Sequence, residues 1–341
     1  MNIYSLLREM MFRLDAETAH HFGLNSLKWL EMTGLLRLAM PRPLHKPVRV
    51  MGLEFANPVG LAAGLDKNAD YIDALALLGF GFVEVGTVTP RPQPGNTKPR
   101  LFRLPEAEAI INRMGFNNLG VDHLIEQVQI ADAKTNIGIN IGKNFDTPVA
   151  NALDDYLIGL NKVYQHADYV TINISSPNTP GLRSLQFGQA LDELLDALKN
   201  TQANLAAKYE RYVPMTVKVA PDLTPEELLQ LAETFGRFKV DAVIATNTTL
   251  DRSAVEGLKN ADEAGGLSGR PLLASSTEVV RQFRQALPED MPIIAAGGIN
   301  SGDDALAKIE AGAALVQIYS GLIYQGPALI RDIVKTLQQR T

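Results

Sequence analysis

The sequence predicts an α/β protein, a closed (β/α)8 barrel of the TIM type with a small N-terminal helical hairpin in front of it. Three observations carry this. Eight short strand-like apolar runs alternate with helical stretches from residue 58 onward. Three of the connections that follow strands, 86–118, 175–187 and 246–270, are far longer than the usual few residues, whereas the helix-to-strand connections are short. Elaboration is therefore confined to one end of the barrel. Finally, asparagine, lysine and glycine recur where the strands end, at positions that packing alone would fill with branched apolar residues. An open doubly wound sheet is the alternative; eight units and the lack of GxGxxG after the first strand count against it.

Residues 1–40 stand apart from the rest and are read as one unit, with 41–341 as the barrel. Ile3, Leu6, Leu7, Met10 and Leu14 fall on one helical face, and a second stretch carries Ala19, Phe22, Leu27, Trp29 and Leu30. Two readings are open. These helices form a hairpin packed on the barrel, or their apolar face, flanked by an aromatic residue and basic groups, lies in a membrane interface. Pro41, Pro43 and Pro47 mark a linker, where Arg42, Lys46 and Arg49 supply most of the local basic excess. A β-hairpin follows, with VRV and LEF flanking Met51 and Gly52. Barrel strands are expected at 58–61, 82–85, 137–141, 169–174, 215–219, 242–245, 293–296 and 315–318. Helices are expected at 69–78, 119–131, 148–166, 188–208, 225–238, 271–286, 303–311 and 327–338.

Composition narrows the function. A chain of 341 residues, 46% apolar and 21% charged, buries a full core without staples. It contains no cysteine, which excludes disulfides, Cys-ligated zinc or iron–sulfur clusters, and a cysteine nucleophile or base. A net charge of −6 argues against nucleic-acid binding. The start lacks a signal-peptide core and no run approaches the roughly 18 apolar residues of a membrane span, so a cytoplasmic location is expected unless a presequence has been removed. The five histidines form no HxH or HExxH pattern, and no metal is expected.

Chemistry concentrates at the strand ends. These hold Gly64, Asp66 and Lys67; Gly86 and Thr87; Asn140 and Lys143; Asn173, Ser175, Ser176 and Asn178; Lys218; Thr246, Asn247 and Thr248; Gly297 and Gly298; and Tyr319, Ser320 and Gly321. Buried amides and ammonium groups cost several kcal/mol unless paired, so a polar ligand is expected. The glycines after strands seven and eight read as a phosphate cup, to which Gly266 and Gly269 add. Lys218 reads equally as a Schiff-base lysine, an ion-pair partner, or a cation beside a cofactor that gains negative charge. NISSPNTPGLR (173–183) has the composition of an ordinary turn, yet it follows a strand that itself contains Asn173.

AAGLDKN (62–68), GTVTPRPQPGN (86–96), INRMGFNN (111–118), NIGKN (140–144), INISSPNTPGLR (172–183), VKVAPDL (217–223), ATNTT (245–249), GGLSGRP (265–271), AAGGI (295–299) and QIYSG (317–321) closely resemble the membrane-associated, quinone-reducing class 2 dihydroorotate dehydrogenases. The resemblance spans the chain, N-terminal helices included. It implies FMN at the barrel mouth, oxidation of (S)-dihydroorotate to orotate in pyrimidine (UMP) biosynthesis, and a respiratory quinone, ubiquinone or menaquinone, as final acceptor. It implies flavin contacts at Ala63, Gly64, Lys67, Thr87, Asn140, Asn173, Lys218, Thr246, Gly269, Gly298, Tyr319 and Ser320. Substrate contacts are implied at Lys67, Asn112, Arg113, Met114, Gly115, Phe116, Asn173, Asn178, Asn247 and Thr248. Ser176 is implied as the base, with Lys67 and Lys218 beside the reaction, and His20, Arg103 and Tyr319 along the quinone passage. A monomer bound peripherally at the cytoplasmic face of the inner membrane is the implied setting. The lack of cysteine agrees, since the soluble classes use it as base. Rivals are another FMN barrel, acting on a 2-hydroxy acid or on a nucleobase in RNA, and a non-catalytic barrel that docks through its hairpin.

Overall fold

Local signals start the helices where the periodicity puts them. Thr224 and Glu227 form a capping box that spans Pro225, the first helical residue, and Ser301 caps the next helix but one by accepting from the Asp304 N–H. A computed structural model describes residues 3–340; Met1, Asn2 and Thr341, and the side chain of Ile3 assigned above to the apolar stripe, lie outside the described residues. The chain opens with helices α1 (Ile3–Met11), α2 (Ala16–Met32) and α3 (Leu35–Ala39), then a hairpin of β1 (Val48–Val50) and β2 (Leu53–Phe55). Next come β3 (Val59–Leu61), α4 (Ile72–Ala76), β4 (Phe82–Val88), β5 (Leu101–Leu104), β6 (Ala109–Asn112), α5 (Val121–Ile130), β7 (Asn136–Ile141), α6 (Ala152–Val163) and β8 (Tyr169–Asn173). The remainder is α7 (Gly188–Tyr209), β9 (Met215–Val219), α8 (Pro225–Arg237), β10 (Ala242–Ala245), β11 (Gly266–Gly269), α9 (Leu273–Ala286), β12 (Ile293–Ala296), α10 (Gly302–Glu310), β13 (Leu315–Ile318), α11 (Ser320–Gln325) and α12 (Ala328–Arg340).

Strands β3, β4, β7, β8, β9, β10, β12 and β13 pair in parallel and close, with Val316 opposite Val59 at the seam. The expected barrel is therefore present. Its lower end is plugged by the β1–β2 hairpin, where Phe55, Phe82, Tyr169, Ile244, Ile294 and Leu315 form a fully buried cluster. Gly138 is required there, because a Cβ on it would stand 2.2 Å from the Tyr169 ring.

Two differences from the sequence expectation have physical causes, one local and one long-range. Helix α4 starts at Ile72 rather than 69, because the Asp66 carboxylate accepts from the Asp70 and Tyr71 N–H groups and holds that stretch as a loop. The long connections 86–118 and 246–270 meet in a three-stranded antiparallel sheet, β5-β6-β11, which pairs Leu101 and Gly266 with Asn112. This sheet stands above the barrel mouth.

The N-terminal helices rest on the rim of that mouth. The Tyr4 hydroxyl lies 2.8 Å from the Ile323 carbonyl, and Arg8 donates to the Tyr324 carbonyl on α11. Arg100, buried, donates to both carboxylate oxygens of buried Glu17 at 2.8 and 3.2 Å, while Lys98 adds a contact at 3.2 Å. The opposite face is apolar and open: nine of the sixteen exposed large apolar side chains among the described residues lie before residue 40, including Phe22, Trp29, Met32 and Leu38.

Candidate active site

The C-terminal ends of the strands open into a cavity. At one side Gly269, Gly297, Gly298, Ser320 and Gly321 line it. Gly298 has φ +75° and lies so close to α9 that a Cβ would meet the Leu273 backbone at 2.4 Å, which fixes glycine there and leaves bare backbone facing the cavity. Ser268 and Ser320 join by their hydroxyls at 2.8 Å, and α11 begins at Ser320, so N–H groups of a first helical turn border the same corner.

Opposite the glycines stand linked amides. Asn173 Nδ2 donates to Thr87 Oγ1 at 2.8 Å, Asn247 Nδ2 donates to Ser175 Oγ at 3.0 Å and to Asn173 Oδ1 at 3.4 Å, and Asn178 Nδ2 donates to the Asn112 carbonyl at 3.1 Å. Each amide is thus oriented by a neighbour before any ligand arrives. Ser176, 6% exposed, lies between them, and its Oγ accepts the Asn178 N–H at 3.3 Å. The loop that carries it is tied down by Arg183, which donates to the Ser175 and Thr248 carbonyls and pairs with Asp222 at 2.8 Å. The stretch 173–183 is thus built into the mouth of the site.

Two ammonium groups face the cavity. Lys67 donates to the Gly64 carbonyl at 2.7 Å; burial, with Arg100 adding repulsion, pulls it down to about 8. Lys218, 6% exposed, has no hydrogen-bond acceptor among the described residues. Burial lowers its pKa from the usual lysine value, and the Glu84 charge opposes that. Thr248 Oγ1 and Gln317 Oε1, on residues lining the same space, are also buried without a partner among the described residues.

Most of the expected residues meet here: Ala63, Gly64, Lys67, Thr87, Asn112, Met114, Gly115, Phe116, Asn173, Ser176, Asn178, Lys218, Thr246, Asn247, Thr248, Gly269, Gly298, Tyr319 and Ser320 all line the cavity. Others do not. Arg113 turns outward to Glu263 at 2.7 Å and stacks on Phe102, since its neighbours on the strand edge take the inner side. Asn140 is wholly buried beneath Thr87 and reaches the cavity only through that hydroxyl. Gly266 lies under Thr248 and Pro177, where a Cβ would strike Thr248 Oγ1, and so serves close packing. Lys143 is drawn away to the Asn144 and Thr147 carbonyls. His20 and Arg103 lie outside the cavity at the hairpin: burial pulls His20 down to about 3, and Arg103 donates to the Met11 and Leu14 carbonyls over the Phe12 ring.

Sequence reading passed over Glu84 and Gln317. Both are polar residues inside otherwise apolar strands, FVEVGTV and LVQI, which is the signal that picked out Asn140 and Lys218.

Such a mouth, with a glycine-backbone corner, fixed amides and a basic side chain beneath, defines a class first: a (β/α)8 protein whose strand ends are shaped for a polar ligand. Its family follows from comparison. The family model described as Dihydroorotate dehydrogenase matches residues 46–341. Proteins named dihydroorotate dehydrogenase (quinone) from Azotobacter vinelandii and Vibrio cholerae are each 60% identical over 335 residues, covering 98% of this chain and 96% and 100% of their own lengths. A crystal structure of DHODH from Eimeria tenella in complex with ferulenol superposes with a TM-score of 0.85 at 39% identity, over 95% of this chain and 91% of that one. The chain belongs to the dihydroorotate dehydrogenase family, a family of oxidoreductases.

Proposed function

We propose that the chain oxidises (S)-dihydroorotate to orotate, with FMN as hydride acceptor and a membrane quinone as final acceptor, in pyrimidine biosynthesis. The observation that carries this is Lys218, a largely buried lysine whose ammonium has no acceptor among the described residues, set between a glycine-walled cup and a network of asparagine amides. FMN fits that donor set. Its phosphate matches the backbone around Gly269, Gly298 and Ser320, and its polar ring edge matches the unanswered groups of Lys218 and Gln317. When bound, FMN supplies the two-electron acceptor that the side chains lack.

The chain's own groups do the rest. Lys67 meets the substrate carboxylate, and the amides of Asn112, Asn173, Asn178 and Asn247 offer donors and acceptors to its ring without adding charge. Unpartnered Thr248 Oγ1 gives a further contact. Ser176 takes the C5 proton. The closed loop around it keeps bulk water from that proton, and the Asn178 N–H holds the oxygen in position.

Purified protein should be yellow, bleach anaerobically with dihydroorotate, and recover its colour with a short-chain quinone. Colourless protein that does not take up added FMN would overturn the reading.

The open apolar face of the hairpin suits a membrane interface at the cytoplasmic side, where the quinone resides. No described helix is long and apolar enough to cross a membrane. Trp29 is the chain's single tryptophan and lies on that face, so it reports docking directly. Vesicles containing anionic lipid should shift its emission to the blue, and Leu38→Glu, at an open position, should weaken the partitioning. Emission that stays unchanged at saturating lipid would remove the membrane role.

A further inference from the structure

Glu84 is wholly buried at the floor of the cavity and accepts three hydrogen bonds, from Asn140 Nδ2 at 2.8 Å, the Tyr169 hydroxyl at 2.9 Å and Gln317 Nε2 at 2.6 Å. All three donors are neutral. An ionised carboxylate can only accept, so it fixes which way each of these groups points. The consequence propagates. With its NH2 on Glu84, Asn140 must turn its oxygen to Thr87, whose hydroxyl donates to it at 2.5 Å. Thr87 then has a lone pair left for Asn173 Nδ2, so the Asn173 oxygen faces Asn247 and Ser175. One carboxylate thereby sets the donor and acceptor sense of a chain of groups running from the barrel floor to the loop that carries Ser176. It is also the one charged neighbour acting on Lys218 among the described residues.

We propose that Glu84 is a positioning residue for this reaction: as an acceptor-only anion it sets the hydrogen-bond polarity of the Asn140–Thr87–Asn173 chain and of Gln317, and supplies the counter-charge of Lys218. This rests on the reading of the cavity as an FMN site. Burial of the Lys218 ammonium favours its neutral form, and Glu84 opposes this, so without the carboxylate Lys218 loses its proton at a lower pH. The remaining ionisable groups that bear on the site are Lys67 and Tyr319, which line the cavity, and Tyr169, whose phenol is held neutral by burial and by Glu84 itself. A glutamine at 84 keeps the shape but brings an NH2 group against neutral donors, so at least one of the three contacts must reverse or break.

The test is FMN affinity of the apoprotein across the pH range, measured by quenching of flavin fluorescence, for wild type, Glu84→Gln and Glu84→Asp. Wild type that binds no FMN would refute the site reading itself. Given wild-type binding, E84Q should bind about tenfold more weakly at neutral pH, the scale of one charge-assisted hydrogen bond. Its alkaline loss of affinity should also begin at lower pH, and E84D, which retains the charge, should return that limb toward wild type. Wild-type affinity with an unmoved alkaline limb in E84Q, or equal displacement in E84Q and E84D, would overturn the proposal. If E84Q does not accumulate, the double variant E84Q/K218M, which removes the buried cation with its counter-charge, should. Its failure to accumulate where K218M alone succeeds would assign Glu84 to packing and likewise overturn the proposal.

Discussion

Replacing Ser176 with alanine should lower turnover of dihydroorotate by about 10³-fold, within the ~10²–10⁴ contributed by a positioned general base, and leave FMN bound. The split between these two effects is what identifies the role. Ser176 lines the cavity on the amide side, away from the glycine cup, so the substitution removes the proposed proton acceptor without touching the groups proposed to hold the FMN phosphate. The hydroxyl accepts only a long contact, 3.3 Å, from the Asn178 N–H, and its loss leaves one weakly engaged donor behind. Folding should therefore be little affected. The relevant measurement is anaerobic reduction of the enzyme by substrate in single turnover, because it isolates proton and hydride removal from quinone reduction. Turnover near wild type at neutral pH would remove Ser176 as the base.

Glu17→Gln should produce the largest structural effect. Breaking a buried ion pair by removing one partner costs about 3–5 kcal/mol, because the remaining charge stays buried. Here the remaining charge is Arg100, which also donates to the Pro94 and Asn96 carbonyls and so organises the loop leading into β5 and β6. Asn112 ends β6, and Lys67 feels the charges of both Arg100 and Glu17. The hairpin is thus coupled to the loop proposed to contact substrate, and E17Q should raise the KM for dihydroorotate as well as lower the urea midpoint of unfolding. Acid should mimic the substitution. Burial alone would raise the Glu17 carboxyl, but the Arg100 and Lys98 contacts outweigh it and leave the pKa below the ordinary glutamate value. A carboxyl depressed in this way stabilises fully above its unfolded pKa, about 4.3, and the contribution is lost as pH falls below that value. Wild type should therefore lose stability in that acid window more steeply than E17Q. Equal urea midpoints for the two proteins at neutral pH would show that the pair does not brace the junction.

Strand and helix periods, with caps and glycines, were enough to recover the barrel: β9, β10, β12 and β13 coincide residue for residue with the runs read from the chain. The polar strand ends were legible for the same reason. Asn173 and Lys218 are anomalous in buried strands, and an anomaly in a regular pattern needs no coordinates to be noticed. That Arg113 turns to Glu263 rather than into the cavity was not legible, because a continuous motif says nothing about which side of a strand edge each side chain takes. The β5-β6-β11 sheet was not legible as a unit because β11 lies more than 150 residues along the chain from the β6 residues it pairs with, and no local period links Gly266 to Asn112.

The sequence by itself determined the fold, the family resemblance and the set of residue types at the mouth, because all of these are written in local patterns along the chain. Tertiary structure alone decided how those groups answer one another. Glu84 meets Asn140, Tyr169 and Gln317 only when four separate strands close, and Glu17 meets Arg100 only when the hairpin lies on the rim. The physical reason is that a buried charge is defined by its partners, and partners are a property of closure across the barrel.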